Sequence, residues 1–196
     1  MASEIELKHF SVGTFDNNVY ILVDRASGES ILFDAPTDAR RILAALDGTT
    51  LKYILMTHCD SDHVQALAEV HEATGAPVGV DPRETHRLPI KPDFEIHDGD
   101  TFAFGNHHVL AISTPGHSEG GTSFLIDDIL IAGDTLFPGG PGNTKRPDGD
   151  FRQIIDGIRT RLFTLPDNTR VYPGHGTSTT IGAEKPHLQE WIDRGW

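Results

Sequence analysis

A chain of 196 residues with 29 Asp and Glu against 16 Lys and Arg, a formal charge of −13, has no cationic footprint for a nucleic-acid backbone. No apolar run approaches the ~20 residues of a membrane span, and residues 1–10 mix charged and apolar side chains without a signal-peptide core. The lone Cys59 excludes an intramolecular disulfide framework, so the expectation is one globular, cytoplasmic domain over residues 1–196, monomeric or homodimeric, acting on a small molecule.

In chain order, residues 19–23 and 30–33 are β-rich and flank a turn at Ala26-Ser27-Gly28, which predicts a hairpin. Residues 37–46 place Ile42, Leu43 and Leu46 on one helical face, end near Gly48, and begin at a Thr37 or Asp38 cap. A strand over 52–56, a helix over about 64–73 and a strand over 77–80 follow. Short strands over 101–104, 108–113, 122–126 and 129–132 fill the middle, the last two joined at Asp127-Asp128. Residues 137–150, rich in Gly and Pro, predict a functional surface loop. A helix over 151–163, a strand over 169–172 and a final helix over about 184–194 complete the chain. Trp191, Ile192 and Trp196 would dock on the body or on a second subunit. Helices spread along a many-stranded chain predict two sheets covered by helices, a layered α/β sandwich.

The densest chemistry is the run Thr57-His58-Cys59-Asp60-Ser61-Asp62-His63, on the turn between a predicted strand and a predicted helix. His58, Asp60 and Asp62 alternate along it and would share one side, leaving Cys59 to pack underneath as a small apolar residue. Three Gly-containing turns follow, each presenting one more potential ligand: His117 in Thr114-Pro115-Gly116-His117-Ser118, Asp134 in Ala132-Gly133-Asp134-Thr135-Leu136, and His175 in Tyr172-Pro173-Gly174-His175-Gly176. Glycines let such turns bend sharply and bring a ligand to a rim. The competing reading is that these polar residues brace turns, with Ser61 or Asp62 capping the helix that follows. The other seven histidines have no such setting and are expected to be solvated or packed.

In these segments, and over nearly the whole chain from Asn17-Asn18-Val19-Tyr20 to Ser178-Thr179-Thr180-Ile181-Gly182, the sequence resembles the metallo-β-lactamase-fold hydrolases, and within them the short glyoxalase II-like branch. The resemblance implies a four-layer αββα sandwich and two divalent ions, zinc, iron or manganese. It assigns His58, position 60 and His117 to one metal, Asp62, His63 and His175 to the second, and Asp134 to the bridge between them. It also implies hydrolysis of a small thioester or ester by metal-bound hydroxide, with Asp62 and Asp134 as catalytic carboxylates. Lys145, Arg146 and Tyr172 are candidate substrate contacts.

Position 60 departs from that pattern: it is Asp where the family has His. Three carboxylates against two divalent ions and one hydroxide leave a formally neutral core, which predicts a weaker Lewis acid and a shift from zinc toward iron or manganese. Asp is also shorter in reach than His, so a single-metal site built on Asp62, His63, Asp134 and His175 is a second expectation. An iron-dependent oxidoreductase, diiron or mononuclear and persulfide dioxygenase-like, is a third, and a degenerate metal-binding domain a fourth. Val64-Gln65-Ala66 after the Asp-His pair, and Asn143 and Lys145 in the long loop, are further departures.

Overall fold

Val19 and Ile21 face one way and Tyr20 and Leu22 the other, and all four are buried, so this strand needs a packed layer on each side. The computed structural model, which describes residues 5–195, supplies both. One six-stranded sheet comprises β1 (Ile5–Val12), β2 (Asn17–Asp24), β3 (Glu29–Phe33), β4 (Thr50–Leu55), β5 (Val78–Val80) and β6 (Phe94–Glu95), paired in that order. β1, β2 and β3 are antiparallel, and β3 to β6 are parallel. The second sheet holds β7 (Thr101–Phe104), β8 (His107–Ser113), β9 (Thr122–Ile126) and β10 (Ile129–Gly133). After a small ribbon of β11 (Leu136–Phe137) and β12 (Gly140–Pro141), β13 (Arg170–Pro173) joins β10 in parallel and β14 (Thr179–Thr180) closes the edge.

Three apolar clusters follow from this layering. Tyr20, Leu22, Ile31 and Phe33 meet Phe104, Phe124 and Ile131 between the sheets. Val19, Ile21, Leu32 and Ile54 pack outward on Ile42 of α1 (Ala39–Leu46), then, beyond α2 (Ser61–Val64), on Leu67 and Val70 of α3 (Leu67–Thr74). Leu130, Ala132 and Val171 pack on Ile154 of α4 (Phe151–Gly157), Ile181 of α5 (Ile181–Glu184) and Trp191 of α6 (Leu188–Arg194). The expected αββα sandwich is what forms. Trp191 docks on the body, against Phe163 at 6.0 Å, while Ile192 stays 40% exposed. Trp196 lies outside the described residues.

The predicted hairpins at 26–28 and 127–128 form, Asp127 taking a left-handed φ of 50°. Asp38, not Thr37, caps α1 by accepting from the Arg41 backbone N–H. Three helices depart from expectation. The one predicted from residue 64 is two, because His63 O accepts the Ala35 N–H at 3.0 Å and the Ala66 N–H turns to Ala35 O and Pro36 O. Tertiary partners thus take the backbone groups that would continue the helix. The helix over 151–163 widens after Gly157 into a π turn over Ile158–Leu162, with the Phe163 N–H reaching Ile158 O. The last helix breaks into α5, a 3-10 turn over Lys185–His187 and α6, where Pro186 offers no N–H. β1 and β6 escape the sequence reading, and the 137–150 loop contains the β11–β12 ribbon.

Candidate metal centre

Every chemical residue singled out in the sequence, except two, lies at one edge of the sandwich. There β3, β4, β10 and β13 all end, and strand ends leave backbone turns free to present side chains. His58 to His63 follow β4, His117 lies between β8 and β9, Asp134 follows β10, and His175 follows β13. Neither Ser61 nor Asp62 caps α2: Asp60 is the N-cap and its side chain makes no capping bond. The Asp62 carboxylate instead accepts from Asn17 Nδ2 at 2.9 Å, so the capping alternative does not hold.

The residues form two groups that meet at one carboxylate. His58, Asp60 and His117 make the first, with His117 Nε2 3.2 Å and His58 Nε2 3.8 Å from Asp60 Oδ2. Asp62, His63 and His175 make the second, with His175 Nε2 3.4 Å and His63 Nε2 3.9 Å from Asp62 Oδ2. Asp134 touches both, 3.6 Å from His117 Nε2, 3.7 Å from His63 Nε2 and 3.5 Å from His175 Nε2. Gly174 permits this closeness, since a Cβ there would collide with the Asp134 carboxylate and stand 2.8 Å from His63 Cε1.

Each imidazole is fixed through its Nδ1. His63 Nδ1–H donates to Asp34 Oδ2 at 3.0 Å, His117 Nδ1–H to Asn143 O at 2.8 Å and His175 Nδ1–H to Phe15 O at 2.8 Å. The Thr57 hydroxyl donates to Asp34 at 2.7 Å, leaving its oxygen to accept from His58 Nδ1 at 3.0 Å. Four Nε2 lone pairs therefore aim at one small volume, the arrangement by which proteins orient histidine toward a metal. His58 Nε2 and Asp134 Oδ1 are buried with no hydrogen-bond partner at all. His63 Nε2 and His175 Nε2 stand 3.3 Å apart. Such a set favours positive charge: burial opposes a charge on His63, yet the Asp34 bond and the Asp134 and Asp62 charges push it up to about 9. His175 is likewise raised, first by its bond to Asp134. Burial and the neighbouring His63 drive His58 well down, so it stays neutral. Asp134 is held low, against burial, by His175 and the other imidazoles. The orphaned Asp134 Oδ1, the close His63 and His175 Nε2 atoms and the two raised imidazoles all fit a divalent cation in the second group.

The first group differs. Both oxygens of Asp60 are taken by arginines: Arg146 engages Oδ2 through Nη1 and Oδ1 through Nη2 at 2.7 Å, and Arg87 Nη2 meets Oδ1 at 2.5 Å. Burial opposes the charge on Asp60, but its bonds to Arg146 hold the carboxyl far below the usual range. Arg146 Nη1 also lies 3.1 Å from His117 Nε2. Asp148 braces both arginines, at 2.7 Å from Arg146 Nε and 2.9 Å from Arg87 Nη1. Two guanidinium groups therefore face the third carboxylate of that charge count.

Of the three expected substrate contacts, Arg146 enters the site but is committed to Asp60 and Asp148. Lys145 lines a separate hollow with Pro141 and Asn143. Tyr172 packs edge-on against Tyr20 at 5.6 Å with the Arg170 guanidinium over its ring, among the core residues between the sheets. Residue alternation along β13 sends it there, and it does not reach the site. Cys59 is buried under the turn as expected, its thiol pushed up by burial. Sequence reasoning missed Asp34, Glu84 and Arg87. Asp34 directly follows an apolar strand and precedes Ala35-Pro36, a signal of a strand-end carboxylate. Buried Glu84 accepts the Cys59 N–H at 3.1 Å and the Gly120 N–H at 2.9 Å, tying the two ligand turns together, and nothing in its local sequence marks it. A cleft of about 510 Å³ opens beside Asp60 and Asp62, bounded by Val64, Gln65, Arg87 and Arg146. That is the size of a small-molecule site.

Comparison with known proteins points the same way. The family model described as the Metallo-beta-lactamase superfamily matches residues 12–175. A probable metallo-hydrolase of Streptococcus pyogenes serotype M6 is 34% identical over 87% of this chain and 83% of its own length. A hydroxyacylglutathione hydrolase of Fuscovulum blasticum is 37% identical over 82% of this chain, which spans 62% of that protein. The structure of TTHA1623, solved in a di-iron-bound form, superposes with a TM-score of 0.80 at 28% identity, covering 91% of this chain and 96% of that one.

Proposed function

The chain belongs to the metallo-β-lactamase superfamily, and on that premise we propose that it is a metal-dependent hydrolase of a small thioester or ester. The observation that carries the reading is the convergence of Nδ1-anchored imidazoles and carboxylates on a buried volume short of positive charge. Asp62, His63, His175 and Asp134 would hold a divalent ion, which would supply an acidified water able to attack at neutral pH and a Lewis acid to polarise a carbonyl. Asn17 orients the Asp62 carboxylate, leaving it to accept the proton that the attacking water gives up. Asp134, buried and held ionised beside His63 and His175, would serve as a second carboxylate ligand to that ion. Attack at the acyl carbon breaks the C–S or C–O bond, and the proton passes to the departing thiolate or alkoxide. Phe15, 70% exposed beside the carbonyl that anchors His175, and Phe137, stacked 6.4 Å from the His175 ring, give the rim an apolar surface for an acyl group.

The named activity of the Fuscovulum blasticum relative makes acyl-glutathione thioesters the first compounds to try, beside simple aryl esters. Metal-loaded protein should release thiol or phenol from at least one of them, and Asp62→Asn should lose about 10²–10⁴ of that rate. No hydrolysis of either class, with oxygen uptake from a persulfide, would replace the reading with an iron oxygenase. The di-iron form of TTHA1623 is what keeps that second reading in view.

A further inference from the structure

We propose that the Arg146 guanidinium is the resident cation of the first group, so that the protein takes one divalent ion, in the second group, where its relatives' pattern provides for two. The inference concerns metal content and rests on the proposed function only in assuming that the second group binds metal. Its basis is geometric. A guanidinium presents a planar fork of N–H donors that matches a carboxylate, and Arg146 uses it on both oxygens of Asp60. The same Nη1 points at His117 Nε2, 3.1 Å away, so the lone pair that would ligate a metal accepts a hydrogen bond instead. Asp60 is engaged a third time by Arg87, and Asp148 holds both arginines in place. A divalent ion among His58, Asp60 and His117 would meet a carboxylate already engaged by two guanidinium groups and would have to displace a braced fork. The second group shows the reverse: among the described residues no arginine or lysine pairs with Asp62 or Asp134, Asp134 Oδ1 has no hydrogen-bond partner, and His63 Nε2 and His175 Nε2 face each other at 3.3 Å.

The exchange is also chemically consistent. Replacing His by Asp at position 60 adds one negative charge, and Arg146 supplies one positive charge at the spot where a metal would have balanced it. The pair is thus neutral with no ion. It also leaves a fixed guanidinium next to the remaining metal, facing the cleft that Arg146 and Asp60 line. A substrate oxygen that relatives would place on a first metal would here meet an N–H donor.

The test is metal stoichiometry by elemental analysis on the full chain, dialysed against excess Zn²⁺ or Mn²⁺ and then freed of loose ions. The unaltered protein should carry one ion per chain. The double variant Asp60→His with Arg146→Met, which restores an imidazole and removes the fork, should carry two. Mn²⁺ electron paramagnetic resonance of the unaltered protein gives an answer even if that variant fails to fold: an isolated six-line ion supports the proposal and a spin-coupled pair overturns it. Two ions in the unaltered protein would overturn it too, and so would a folded double variant that still holds one. No ion in either protein would instead overturn the metallohydrolase reading itself, and this inference with it.

Discussion

Asp34 is not a metal ligand in the proposed arrangement, yet the structure makes it the residue on which the site depends most. Its buried carboxylate accepts the Thr57 N–H at 2.7 Å, the Thr57 hydroxyl at 2.7 Å and His63 Nδ1–H at 3.0 Å. Asp34→Ala leaves the Thr57 N–H and the His63 ring N–H buried without acceptors, at about 1–3 kcal/mol each. Its φ of 55° adds about 1 kcal/mol, because alanine tolerates the left-handed region poorly. The expected loss of unfolding free energy is therefore roughly 3–7 kcal/mol, large against a typical total of about 5–15 kcal/mol. Asp34→Asn separates stability from orientation. Asparagine accepts the left-handed backbone and can keep the Thr57 N–H bond, so it should cost only about 1–2 kcal/mol. Its amide NH₂ faces His63 Nδ1, however, and forces the ring proton to Nε2, the atom that would bind metal. Metal affinity should then fall about 10–100-fold. Urea unfolding of the metal-free protein measures the first effect, and competition against a chromogenic chelator measures the second. An Asp34→Ala loss under about 1 kcal/mol, or an Asp34→Asn protein binding metal as tightly as the parent, would refute the reasoning.

Three other outcomes follow from the same geometry. Gly174→Ala drives a methyl group into the Asp134 carboxylate and the His63 ring, so metal affinity in a chelator titration should drop at least about tenfold while the fold survives. Loading metal should release protons. His63 in the metal-free protein titrates at about 9, above its ordinary value, so that proton stabilises the metal-free state fully below about 6.5 and is lost as pH rises through about 9. Apparent affinity should therefore climb about tenfold per pH unit for each proton displaced over that window, and calorimetry in two buffers of different ionisation enthalpy should count them. A pH-independent affinity between 7 and 9 would contradict the His63 assignment. Cys59, 2% exposed and with its thiol pushed up by burial, should resist iodoacetamide in the native protein and react in denaturant. Rapid native alkylation, read by mass spectrometry, would mean that the turn opens.

Much of the site was legible before folding because ligand chemistry is local. His58, Asp62 and His63 sit within one turn, and His117, Asp134 and His175 each stand beside glycine in a short loop after an apolar run, so residue type and spacing were enough to group them. The β-rich apolar runs likewise carried most of the strands, and the helices spread among them the layered sandwich. The split of the helix near residue 64 has a cause that no local pattern encodes: backbone groups near Gln65 found partners on Ala35 and Pro36, residues about thirty positions away. The contacts of Asp60 belong to that second kind. In sequence it is one more carboxylate in a ligand run, and whether it serves a metal depends on Arg146, 86 positions on, and Arg87, 27 positions on. Only the meeting of those loops at the sheet edge brings the charges within hydrogen-bond range, where a guanidinium and a metal ion compete for the same lone pairs. Sequence by itself determined the donors and the scaffold; the tertiary structure decided which cation each donor faces.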